Sequence, residues 1–126
     1  MIPKYRAWDR ETKSMNGMAE IYRNRKQEIE LHPRDENIIL MQSTGLIDKN
    51  GKEIFEGDII AINLEGIETP ITAKVFQNRK IGILMFHAFE DNEDVPMVEL
   101  LEGNSVEFAI IGNIWEDPEL AEVSHD

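Results

Sequence analysis

Residues 40–59, Leu40-Met41-Gln42-Ser43-Thr44-Gly45-Leu46-Ile47-Asp48-Lys49-Asn50-Gly51-Lys52-Glu53-Ile54-Phe55-Glu56-Gly57-Asp58-Ile59, decide the fold class. Gly45, Gly51 and Gly57, with Gly66 beyond them, punctuate short apolar runs through the middle third of the chain. Asp48-Lys49-Asn50-Gly51 reads as a turn, in which Gly51 supplies the positive φ that a Cβ resists. Asp58 can accept backbone N–H bonds within its own turn, as Asx residues do. Phe55 and Ile59, on either side of that turn, both reach for the core.

The same grammar extends in both directions. Ile38-Ile39-Leu40-Met41 is a buried-strand candidate, and residues 5–8 form a short aromatic strand followed by a turn that Asp9 can cap. Residues 59–64 are apolar and rich in β-branched side chains, and Ile71, Ala73 and Val75 alternate with Thr72, Lys74 and Phe76. Asn78-Arg79-Lys80 turns the chain into residues 81–89, a run apolar on both faces and so expected to be buried on both sides. A turn at 102–105 leads to a strand over 106–111, where Gly112-Asn113 offers a positive-φ exit. Asp117-Pro118-Glu119-Leu120 carries a helix-start signature, predicting a short C-terminal helix to about Val123. Residues 19–31 fit neither period and read as strand, loop, strand. The fold class is mainly β, a small antiparallel barrel or sandwich.

Composition narrows the function. The 126 residues suit one domain, with an N-terminal β subregion over 1–37 and a barrel over 38–116. The 25 Asp and Glu outweigh 13 Lys and Arg, for a net charge of −12. Residues 1–34 carry +3, residues 35–80 carry −3, and residues 81–126 hold twelve acids and no Lys or Arg. A generally basic nucleic-acid binder is excluded, because phosphate affinity comes from many cations releasing counterions. The absence of cysteine excludes a disulfide scaffold, a thiol nucleophile and every cysteine-ligated metal site. No stretch reads as a signal peptide or a membrane span, so a cytoplasmic protein is expected.

Chemistry-bearing constellations are few. His32, His87 and His125 stand beside no nucleophile motif, and His87, inside an apolar run, reads as a hydrogen-bonded core or edge residue. Phosphate-binding glycine motifs are missing. Glu90-Asp91-Asn92-Glu93-Asp94 concentrates the hard oxygens that Ca²⁺ and Mg²⁺ favour, yet Val95 and Pro96 fall where an EF-hand needs a ligand and a glycine. A solvated hairpin tip is the expected reading, and no cofactor or metal site is assigned. Lys4, Arg6 and Trp8 would share one face of an extended strand, interleaving cations with an aromatic as a stacking platform does, with Arg23, Arg25 and Lys26 able to widen it. The field of the whole molecule opposes a polyanion there. Lys4, Arg6, Trp8, Glu90, Asp91, Glu93 and Asp94 are therefore the candidate partner-binding residues, and no residue is a catalytic candidate.

Three stretches together resemble the YopX-like proteins of bacteriophages and prophages: Lys4-Tyr5-Arg6-Ala7-Trp8-Asp9, the segment 40–59, and Ile111-Gly112-Asn113-Ile114-Trp115-Glu116-Asp117-Pro118-Glu119-Leu120. The resemblance runs from 4 to 120, with a variable stretch at about 16–37. It implies a β-rich fold with an SH3-like barrel portion, a bacterial host cell, no assigned activity and no catalytic residues to carry over. The resulting expectation is a non-enzymatic phage or prophage accessory protein that binds another protein, host-derived or its own copy. Opposite charge at the two ends of the chain would steer a homo-oligomer. The alternative of a different class uses residues 81–126 as an acidic DNA mimic that occupies a host nucleic-acid-binding protein. Plain solubility is the competing account of that charge.

Overall fold

The computed structural model describes residues 4–20, 37–101 and 106–121. Of the features read from sequence, most of the 19–31 stretch, Arg23, Arg25, Lys26, His32, His125 and the turn at 102–105 lie outside the described residues. The chain divides into two compact units, Met1–Ser43 and Thr44–Asp126. The division falls inside strand β3 (Ile38–Ile47).

In the first unit β1 (Lys4–Asp9) pairs antiparallel with β2 (Ser14–Glu20) on one side and with the start of β3 on the other. The hairpin closes as its sequence dictates. Asp9 Oδ1 accepts the backbone N–H groups of Glu11 (2.9 Å) and Thr12 (3.2 Å), which satisfies donors that a tight turn would leave open. Trp8 and Met41 are buried, and the Arg6 guanidinium lies 3.7 Å from Met41 Sδ.

The second unit contains β4 (Glu53–Phe55), β5 (Asp58–Leu64), β6 (Ile71–Asn78), β7 (Ile83–Ala88), β8 (Glu93–Pro96) and β9 (Val106–Asn113). Five of these form an antiparallel sheet in the order β8-β7-β6-β5-β9, while β4 follows β3 in the other antiparallel sheet. Alternation places Ile60 and Ile62, Ala73 and Val75, Phe86, and Phe108 on one face, where they form the core with Ile54. Phe86 and Phe108 meet with ring centroids 5.5 Å apart. Helix α1 (Met97–Leu101) packs Met97 and Leu100 against this core.

Several sequence expectations are corrected here. The 81–89 run is buried on both faces only from Met85 on, where Met85 and Phe89 alternate with Phe86 and Ala88; before that Asn78 caps a turn by accepting Lys80 N–H (3.0 Å), Gly82 N–H donates to Asn78 O, and β7 begins only at Ile83. Ile81 thus faces solvent at 61% exposure. Gly112 is not a positive-φ exit. Its hydrogen matters because an added Cβ would lie 2.6 Å from Asp117 Oδ2 and 2.7 Å from a Leu120 methyl. Among the described residues the expected C-terminal helix is a 3₁₀ turn, Pro118–Ala121, because Leu120 N–H bonds the carbonyl three residues back, at Asp117; its expected end at Val123 lies outside them. Neither α1 nor β4 was expected. Between Ile59 and Ile60 the β5–β9 register shifts by a bulge, which explains the exposure of Ile111.

Phe86→Ala should cost about 3–5 kcal/mol, because it removes a fully buried ring from a packed core. Ile111→Ala, on the bulge, should stay within about 0.5 kcal/mol of the parent. Urea unfolding of the two variants checks the contrast through their midpoints.

Candidate functional site

The hairpin β7–β8 carries the acidic tip. Ala88 pairs with Glu93 and His87 with Asp94, so the chain reverses over 89–92. Asn92 takes a left-handed conformation (φ 52°), one that Asn tolerates better than most residues. Glu90, Asp91, Glu93 and Asp94 are all exposed. The solvated hairpin tip read from the sequence is what the backbone forms. Among the described residues, no group of three His, Asp or Glu converges as metal ligands would.

Behind the tip, one cross-strand row joins three charge-bearing types. Lys74 on β6 stands opposite His87 on β7, which stands opposite Asp94 on β8. The His87 Nδ1–H donates to Asp94 Oδ1 at 2.7 Å, and the ring meets Phe89 edge-on at 5.6 Å. This fixes the ring and directs its other nitrogen away from Asp94. Lys74, Phe76, His87 and Asp94 line a shallow depression of about 260 Å³. His87 is therefore hydrogen-bonded, as its place in an apolar run suggested, but in an interior strand and half-buried. Sequence reasoning missed Lys74 and did not connect His87 to Asp94. Counting outward equally from the 89–92 turn would have paired 88 with 93 and 87 with 94.

The basic candidates fare differently. Trp8 is 6% exposed, so the indole is packing and not a stacking surface, which corrects its place among the partner-binding residues. Lys4 is exposed and Arg6 half-buried. Lys4, Arg6 and Trp8 do sit at alternate positions of β1, and that strand keeps an unbroken register with β3 from Tyr5 to Asp9.

The longest sequence motif builds turns. Asp48, 5% exposed, uses both carboxylate oxygens: Oδ1 accepts Asn50 N–H (2.9 Å) and Lys52 N–H (2.8 Å), and Oδ2 accepts Ile110 N–H (3.1 Å). Lys49 N–H adds a bond to Phe108 O (2.8 Å), so this loop covers the outer edge of β9. Burial pushes the Asp48 pKa up, but the three backbone donors and the Lys52 charge outweigh it and hold the pKa below the ordinary 3.8. Asp58 accepts Phe55 N–H (2.8 Å) inside the core. Asn113 Oδ1 accepts Trp115 N–H (3.0 Å) and Glu116 N–H (2.8 Å), while Asp117 Oδ2 accepts Asn113 N–H (3.2 Å).

The family model described as YopX protein matches residues 4–122. Protein EF1440 from Enterococcus faecalis is similar in structure, with TM-score 0.53 and 27% identity, over 97% of this chain and 99% of that one. Protein yopX from Bacillus subtilis has the same fold, with TM-score 0.57 and 20% identity, over 97% of this chain and all of that one. No functionally curated protein matches the chain. Among the described residues no helix is long and apolar enough to cross a membrane.

Asp48→Asn should cost about 3 kcal/mol at neutral pH, because the amide turns one acceptor into a donor facing backbone N–H groups. Since the folded-state pKa is depressed, this contribution is full above about pH 4 and is lost as the pH falls below 3.8 through the folded value. Urea titrations of parent and variant should converge at low pH. Gly112→Ala should cost about 1–3 kcal/mol through the clash with Asp117 and Leu120, measured in the same way.

Proposed function

We propose that this chain, which belongs to the YopX family, is a non-enzymatic accessory protein of phage or prophage origin that binds another protein through its acidic hairpin. The observation that carries the reading is the display of Glu90, Asp91, Glu93 and Asp94, all exposed, on a hairpin that the His87–Asp94 bond braces. Rigid display lowers the ordering cost of binding, and a single-sign surface steers an oppositely charged partner. An acid–base pair for hydrolysis would need one carboxyl shielded from water, whereas these four lie open to it. The five-stranded sheet is the portion we read as SH3-like, with its exposed hairpin as the recognition element. The expected partner is basic. A nucleic-acid-binding host protein, held through mimicry of the DNA charge row, is the narrower form of the same reading.

The test compares the parent with Glu90→Gln/Asp91→Asn/Glu93→Gln in affinity capture from host lysate. The parent should retain a basic protein that the neutralised variant loses. That retention should also fail near 1 M salt, where the screening length is about 3 Å. Equal retention by both proteins defeats the reading. Release by duplex DNA would identify the partner's site as its nucleic-acid groove, and release by salt alone would exclude mimicry.

A further inference from the structure

Asn50 directly precedes Gly51 at the exposed end of the loop that Asp48 organises. A backbone nitrogen can attack the side-chain amide of the residue before it, and glycine, with no Cβ to shield its nitrogen, is the most reactive follower. We propose that Asn50 is a site of spontaneous covalent modification by deamidation, and that Asp48 holds the reaction in check. In this step solvent base takes the Gly51 N–H proton, Gly51 N bonds to Asn50 Cγ, and the Cγ–Nδ2 bond breaks to release ammonia. Water then opens the cyclic imide. Opening at one carbonyl leaves aspartate; opening at the other leaves isoaspartate, which lengthens the backbone by one carbon. No redox partner is needed, and water is the only co-reactant.

The geometry supplies both the substrate and the restraint. Asn50 and Gly51 are exposed, and a Cβ placed on Gly51 would meet nothing within 4 Å, so solvent reaches the reacting atoms. The attacking nitrogen is nevertheless occupied: Gly51 N–H donates to Asp48 O at 3.0 Å. Its neighbours are pinned too, Asn50 N–H and Lys52 N–H by Asp48 Oδ1, while Asp48 N–H donates to Lys52 O at 2.7 Å. Gly51 N must leave these bonds and rotate toward Asn50 Cγ before it can react. Reaction therefore proceeds from the opened loop, and its rate reports how often Asp48 lets go. Isoaspartate would displace Lys52 from Asp48 and loosen the cover over β9, whose edge would then be open to pairing.

The experiment follows the Asn50 peptide by mass spectrometry, with isoaspartate detection, during incubation in mildly alkaline buffer. Native full-length protein should react at least about tenfold more slowly than the same protein in unfolding urea. Asp48→Asn in native buffer should recover most of that factor, and Asn50→Gln should abolish the product. Equal rates in native buffer and urea would overturn the restraint without any variant. An Asp48→Asn rate equal to the parent's would overturn the role of Asp48, and an unmodified Asn50 in urea would overturn the site itself.

Discussion

The second unit depends on one buried carboxylate. Asp48 is nearly out of water, and an isolated charge there would be strongly destabilising. Three backbone N–H groups converge on its two oxygens, so desolvation is offset within hydrogen-bond distance. One of those donors, Ile110, lies 62 residues further along the chain. A local turn signal is thereby converted into a long-range tie, and the outer strand of the five-stranded sheet gains cover that no strand provides. A hydrophobic residue at 48 could fill the space, but it would take the shared acceptor from the N–H groups of Asn50, Lys52 and the half-buried Ile110.

The same device recurs at smaller scale. Asp9, Asp58, Asn78 and Asn113 each place a side-chain oxygen on backbone N–H groups of their own turn. Short strands need many corners, and each corner exposes donors that the sheet ladder does not use. Acids and amides thus have two employments in this chain. Asp9, Asp48, Asp58, Asn78, Asn113 and Asp117 are consumed by the backbone. Those at 90–94 are not, and that separation is why we place display on the hairpin and not on the longest motif.

Legibility followed locality. The turn at 48–51, the cap at Asp9 and the Asp58 turn could be read because donor and acceptor lie within four residues of each other. Gly112 could not, since its need for a bare Cα comes from Asp117 and Leu120 folding back over it. Its sequence signature is the same as that of a positive-φ glycine. Helix α1 was hidden by brevity: Met97-Val98-Glu99-Leu100-Leu101 is too short to show a period, and Pro96 before it belongs to β8. Strand β7 was overextended because Ile81 is as apolar as a core residue, and only Gly82 (φ 69°) marks the turn that contains it. For the candidate site, the acidic tip was legible and its basic neighbour was not. Lys74 meets His87 only through the β6–β7 register, which the exposed turn between them sets.

Charge and fold connect at that row. Residues 81–126 hold no Lys or Arg, so any cation beside the acidic hairpin comes from residues 1–80. The β6–β7 register brings one, Lys74, to the His87–Asp94 pair and no nearer to the tip. The polar row is therefore graded across three strands, from cation through imidazole to carboxylate, with its negative end on β8, the terminal strand in the sheet order. Along this row, a partner approaching from that edge meets the Asp94 carboxylate before Lys74. On the reading we propose, neutralisation of the hairpin falls to its partner, while Asp48, whose charge is already matched by backbone donors, has none to offer.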